Sequence, residues 1–276
     1  MEASVETQAA VDRRNEAFWD ELCGTAFAKH LGLEGRDRGT LEAFDRAYFA
    51  YYPYLHDYVT RFAIAGRPTL EIGLGYGTLG EELVRQGADY SALDVAAGPV
   101  GMMQHRLTML GQGRPERVLQ GSVLEMPFPD GSFEYVYTIG CLHHTGDLPR
   151  AVEEVRRVLA PGGHAVVMVY HANSLRQWRR VRIPRALARL RGRSGPSEEA
   201  VAKLYDADAS GAAPPHTDYV SRGEIRRLFR GFSKVEIRTR NFDDTHVIRW
   251  WIPRLRIIGT PLERWLGLDL YVVATR

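Results

Sequence analysis

The stretch Thr69-Leu70-Glu71-Ile72-Gly73-Leu74-Gly75-Tyr76-Gly77-Thr78, continued at Ala92-Leu93-Asp94-Val95, decides the fold. A short apolar run enters three glycines at every second position, so the backbone can turn sharply and approach a ligand with no Cβ in the way. The segment from Thr78 to about Gln86 is amphipathic and Gly87 stops it; a helix there points its N-terminal amides at that ligand. Asp94 closes a second strand about 20 residues beyond the first glycine, where a carboxylate can accept hydrogen bonds from both hydroxyls of a ribose. Strand, glycine turn, helix and strand make the frame of a nucleoside-cofactor site. A dinucleotide fingerprint places glycines at relative positions one, three and six. Here position six is Thr78 and the third glycine is Gly77 at position five, which disfavours a nicotinamide oxidoreductase.

Downstream, Gly98 to about Leu110 reads as a helix and Arg117-Val118-Leu119-Gln120 as a third strand, left through Gly121-Ser122-Val123. Pro127, Pro129, Asp130 and Gly131 form a turn before a strand over Glu134 to Ile139. Asp147 caps a helix with Pro149 in its first turn, running through Leu159. Pro161-Gly162-Gly163 ends it and leads into an apolar strand, Ala165 to Val169. This alternation predicts an α/β fold with a mostly parallel sheet and helices on both faces. Ser221-Arg222-Gly223-Glu224 fits a capping box opening a helix to about Arg230. Lys234 to Thr239 and Leu270 to Ala274 read as the last strands.

Three further segments follow in order: Leu124 to Ser132, Gly140-Cys141-Leu142-His143-His144, and Glu154-Val155-Arg156-Arg157-Val158-Leu159-Ala160-Pro161-Gly162-Gly163. With Glu71 to Gly77 they resemble successive motifs of class I S-adenosylmethionine-dependent methyltransferases. The subgroup they are most similar to includes ubiquinone and menaquinone biosynthesis enzymes and natural-product tailoring enzymes. The resemblance spans roughly residues 69 to 171. It implies a Rossmann-like sheet with an antiparallel last strand, over residues 66–276, with a lid insert at about 172–220. Residues 1–65 are expected to form a helical N-terminal cap.

The resemblance implies that Gly73, Leu74, Gly75, Gly77 and Thr78 carry the methionine part of S-adenosylmethionine, and that Asp94 and Val95 hold the ribose. Glu71 would orient the loop or receive the cofactor's ammonium through water. The subgroup commonly presents an aspartate to adenine after the third strand; this chain offers Ser122 and Val123. Thr138, Ile139 and Gly140 would lie beside the sulfonium, and the product would be S-adenosylhomocysteine. His143 and His144 are candidate catalytic bases, since imidazole near neutral pH can take a proton from an acceptor. Their structural alternative is packing against the cofactor. Trp19, Tyr48, Tyr51 and Tyr52 are expected to face the cleft as substrate contacts, with core packing of the cap as the alternative. Tyr170 and His171, leaving the fifth strand, are expected to face it too.

At 276 residues with 45% hydrophobic and 25% charged content, the chain is an ordinary globular sequence. A net charge of +2 favours neither nucleic acid nor another polyanion as partner. The segment Thr138-Ile139-Gly140-Cys141 replaces the Asn-Pro-Pro-Tyr or Asp-Pro-Pro-Tyr of enzymes that grip a flipped base, so no nucleic acid is expected. Cys23 and Cys141 have no metal-ligand spacing; no metal is expected and none is required. The two cysteines suggest no disulfide framework, and no signal peptide or membrane-spanning apolar run is read in the sequence; a cytoplasmic location is the expectation. The arginine-rich segment Arg176 to Arg193 allows a solvated amphipathic lid, an acidic-substrate clamp or a peripheral contact with an anionic membrane or nucleic acid, and Arg249-Trp250-Trp251-Ile252-Pro253 a packed lid or an interfacial patch. A monomer or homodimer acting on a small-molecule acceptor is the expectation, a quinone or lipid-like compound among the candidates. The alternatives are a non-catalytic cofactor-binding protein and a methyltransferase acting on a macromolecule.

Overall fold

The computed structural model describes residues 7–22, 25–208, 210–243, 245–247 and 250–276. Cys23 and Arg249 lie outside them. Four helices precede the sheet: α1 (Gln8–Leu22), α2 (Thr25–His30), α3 (Arg38–Tyr51) and α4 (His56–Val59). Asp37 caps α3 by accepting from the Thr40 amide, and the chain turns out of the helix ahead of Pro53.

The first half of the sheet alternates β1 (Pro68–Ile72), α5 (Thr78–Arg85), β2 (Asp89–Asp94), α6 (Ala97–Leu110), β3 (Val118–Gln120) and β4 (Phe133–Ile139). Helix α7 (Leu148–Val158), capped by Asp147, leads into β5 (Leu159–Tyr170). The insert then supplies α8 (Leu175–Gln177), a π turn at Trp178–Arg182, α9 (Ile183–Leu190) and α10 (Glu198–Ala202). Helix α11 (Arg222–Leu228) opens with the expected capping box between Ser221 and Glu224. After β6 (Lys234–Arg240), a hairpin of β7 (Thr245–Val247) and β8 (Trp250–Ile252) precedes α12 (Arg254–Ile257), α13 (Pro261–Leu266) and β9 (Asp269–Thr275).

The seven-stranded order is β3-β2-β1-β4-β5-β9-β6. Strands β1 to β5 run parallel and β9 lies antiparallel between β5 and β6. The chain reverses direction between β1 and β4, so the loops after β1, β2 and β4 open onto one crevice at the carboxyl edge. Strand β5 begins earlier than its apolar run. Leu159 pairs with Phe133, and the Pro161-Gly162-Gly163 turn is absorbed as an irregularity before His164 pairs with Tyr135.

Apolar cores cover both faces of the sheet. On one, α7 presents Leu148, Ala151, Val152, Val155 and Val158 beside Leu70, Ile72 and Val167, each large side chain contributing about 1.5–3 kcal/mol. On the other, Tyr54, Leu55, Tyr58 and Val59 from the cap pack with Leu79, Leu83, Met103 and Tyr271. Arg106, fully buried, binds Asp45 of α3 and Glu81 of α5, each at 2.8 Å. It ties the cap to the glycine loop, because a Cβ on Gly77 would stand 2.7 Å from Arg106 Cδ.

Candidate active site

The glycine turn is held from behind by the carboxylate it was expected to accompany. Gly73, Gly75 and Gly77 all have positive φ, near +79°, +51° and +79°, which side-chain-bearing residues adopt at a cost. A Cβ on Gly73 would sit 2.4 Å from Cys141 Cβ, so the loops after β1 and β4 meet with the Gly73 backbone against the Cys141 side chain. Asp94 Oδ2 accepts the Leu74 amide at 2.7 Å and its Oδ1 accepts the Ala96 amide at 2.9 Å. Burial pushes the Asp94 carboxyl up to about 6, against the pull of these amides. Each oxygen keeps a further lone pair for an outside donor.

The resulting cleft is lined by Gly73 and Gly75 from the first loop, Asp94, Val95 and Pro99 from the second, and Gly121, Ser122 and Val123 from the third. Ile139, Gly140, Cys141, His144 and Thr145 close it after β4, and Asn15 and Trp19 of α1 cover it. Asn15 Nδ2 donates to the His144 carbonyl at 2.7 Å, while its Oδ1 is buried with no hydrogen-bond partner. Trp19 packs its ring 4.6 Å from that of His144. Asn15 and Trp19 stand four residues apart on one helix face; that spacing was a usable signal for Asn15, which sequence reasoning missed.

Several expected site residues stand elsewhere. Glu71 is buried behind the loop, where it accepts the Tyr90 hydroxyl under Gly80. Alternation along β1 decides this: Leu70 and Ile72 face the α7 core, so Glu71 faces α5. Leu74 contributes its amide but buries its side chain among the cap-side apolar residues. Gly77 backs onto Arg106, and Thr78 donates to Asp45 at 2.6 Å. Thr138 is fully buried within β4 and off the cleft. Tyr48 and Tyr52 belong to the aromatic packing of the cap, and Tyr51 stacks under Arg254 at 4.0 Å. His171 is buried on the far side of β5, with Nδ1 3.0 Å from the Gly267 carbonyl.

The two histidines differ. His143 is wholly buried, both ring nitrogens lack a partner, and burial holds it well below the usual imidazole range. His144 lines the cleft and is fastened by the insert: its Nδ1 lies 2.8 Å from the His216 carbonyl. The Asp218 amide donates to the His143 carbonyl at 2.7 Å. Tyr170 packs against the His143 ring at 4.1 Å and donates its hydroxyl to Asp206 at 2.8 Å. Asp206, in the insert, was not foreseen; no sequence signal links it to a histidine so far away in the chain. Among the described residues, no group of three or more His, Cys, Asp or Glu could hold a metal ion.

Residues 70–167 match a family described as the methyltransferase domain. The chain is 35% identical over 124 residues to a sterol 24-C-methyltransferase of Gibberella zeae, covering 44% of this chain and 32% of that one. It is 30% identical over 141 residues to a phthiotriol/phenolphthiotriol dimycocerosates methyltransferase of Mycobacterium leprae, covering 50% and 51%. The chain thus spans about half or less of the length of these relatives. An S-adenosylmethionine dependent methyltransferase from Mesorhizobium loti shares the fold, with a TM-score of 0.53 and 21% identity over 82% of this chain and 98% of that one.

Proposed function

We propose that this chain, whose residues 70–167 match the methyltransferase-domain family, transfers a methyl group from S-adenosylmethionine to a small organic acceptor. The observation that carries the reading is Asp94: a buried carboxylate at the end of β2, pinned by loop amides, facing a cleft walled by Gly73 and Gly75. The cofactor fits the residues present. The glycine cradle leaves room for its methionine part, Asp94 accepts from the ribose, and Ser122 and Val123 border the adenine side. Asn15 Oδ1, a buried acceptor without a partner, suits one of its donors. When bound, the cofactor supplies a methyl group already activated on cationic sulfur, so the protein's share is positioning and exclusion of water.

The sterol and the phthiotriol dimycocerosates in the names of the relatives support an apolar acceptor. Among the described residues no helix is long and apolar enough to cross a membrane. The insert nonetheless exposes Trp178, Ile183, Leu187 and Leu190 beside Arg180, Arg185 and Arg189, a composition suited to lying on an anionic lipid surface. Calorimetric titration with S-adenosylhomocysteine tests the central reading; no heat with that ligand, with clear binding of a nicotinamide cofactor, would overturn it. Cosedimentation with vesicles of anionic against neutral lipid tests the surface contact, which equal recovery from both would refute.

A further inference from the structure

His144 Nδ1 lies 2.8 Å from the His216 carbonyl and 3.3 Å from the Thr217 hydroxyl. A carbonyl can only accept, so the shorter contact assigns the proton of the neutral ring to Nδ1 and leaves the lone pair on Nε2, with the Thr217 oxygen as a second, longer acceptor. Nε2 is buried and has no hydrogen-bond partner. It stands 3.6 Å from Asp206 Oδ2, the same oxygen that accepts the Tyr170 hydroxyl at 2.8 Å. A lone pair facing a carboxylate is an incomplete contact, and it becomes a charge-assisted hydrogen bond once one proton arrives on Nε2.

Burial works against a charged ring at this position. His144 is 4% exposed, with the His143 ring 4.2 Å away and that of Tyr170 5.8 Å away. From α1 come Asn15 and Trp19, both uncharged. From the insert come Asp206, Asp218 and His216, the last two paired with each other at 3.1 Å. Burial lowers the basicity of His144, and Asp206 leads the influences that restore it.

We propose that Asp206 is a positioning residue that makes His144 Nε2 a working base, and that the acceptor is a hydroxyl compound whose proton leaves as the methyl arrives. The proposal rests on the methyl-transfer reading above. The acceptor oxygen forms the new C–O bond with its lone pair, the electron pair of the broken C–S bond stays on sulfur, and the O–H proton moves to Nε2. Asp206 then faces an imidazolium, which later gives the proton to solvent. No oxidant or reductant enters. Because Asp206 belongs to the insert, the base is complete only with the insert seated over the His pair.

The test is nitrogen-15 NMR of the imidazole groups in the ligand-free 276-residue chain. The unmodified protein should show His144 with Nδ1 protonated and Nε2 bare. Asp206→Asn should move its titration midpoint down by about 1 pH unit or more, with affinity for S-adenosylhomocysteine kept within threefold. An Nε2-protonated neutral ring in the unmodified chain, which needs no variant to observe, would overturn the proposal, as would an unmoved midpoint in a folded Asp206→Asn protein. Failure of the unmodified chain to bind S-adenosylhomocysteine would overturn the underlying reading, and it is seen in a separate experiment.

Discussion

Glu71→Gln separates two roles for the acidic residue ahead of the glycine turn. Glu71 is 1% exposed, accepts the Tyr90 hydroxyl, and is pushed by burial up to about 8. In an unfolded chain the same carboxyl titrates near 4.3. Between about pH 4.3 and pH 8 the folded protein holds a proton that the unfolded chain has released. Stability from the neutral carboxyl is therefore full below pH 4.3, falls by about 1.4 kcal/mol per pH unit as pH rises, and is lost by pH 8, a total of about 5 kcal/mol. Glutamine keeps the shape and can accept the same phenol hydrogen, but it has no proton to lose. Guanidinium unfolding should find variant and unmodified protein within about 1 kcal/mol of each other at pH 5, and the variant more stable by several kcal/mol at pH 8. Asp269, which is not among the groups that shift Glu71, titrates in both proteins and cancels in the difference. An unchanged difference across that range would refute the buried-acid account. A tenfold loss of affinity for S-adenosylhomocysteine would instead put the carboxylate on the cofactor, as the motif resemblance implied.

Three further outcomes follow from the geometry. Asp94→Asn should weaken S-adenosylhomocysteine binding by roughly 100-fold in calorimetry, since charged hydrogen bonds are worth about 1.5–3 kcal/mol each; affinity within threefold of normal would remove Asp94 from the site. Arg106→Met leaves Asp45 and Glu81 facing one another without their shared cation, and chemical denaturation should record a loss of about 3–5 kcal/mol. Gly73→Ala should cost at least tenfold in affinity for S-adenosylhomocysteine, because its new methyl collides with Cys141. The double change with Cys141→Gly should recover part of that loss in the same titration, the remainder reflecting the left-handed backbone at position 73.

How far the sequence could be read depended on the range of the forces involved. The parallel sheet, the capping box at Ser221 and the glycine turn are written in neighbouring residues, and they emerged at the places expected. The cleft-lining residues Gly73, Gly75, Asp94, Ser122, Val123, Ile139, Gly140 and His144 follow from strand ends, which topology gathers at one edge. Side-chain direction was harder. Glu71 turned away because β1 is covered on both faces, and alternation alone did not reveal which face held the cofactor. The tyrosines at 48, 51 and 52 share helical spacing with core positions, so a bend near a proline could not say whether they met ligand or Arg254. Asp206 and Arg106 make their contacts across long intervals of chain. Only the folded arrangement shows which carboxylate meets which base.

Helix α1 has a kinetic consequence. It closes the cleft with Asn15 and Trp19, and it is sewn down by Gln8 to the Thr145 carbonyl, by Asn15 to the His144 carbonyl and by Asp20 to the Gly98 amide. A molecule seated behind these contacts is retained by them, so its exit rate depends on how often those anchors break together. Residence time is then a property of a surface helix that touches none of the bonds being made or broken. Loosening Gln8 or Asp20 would quicken exchange while leaving the chemistry as it was.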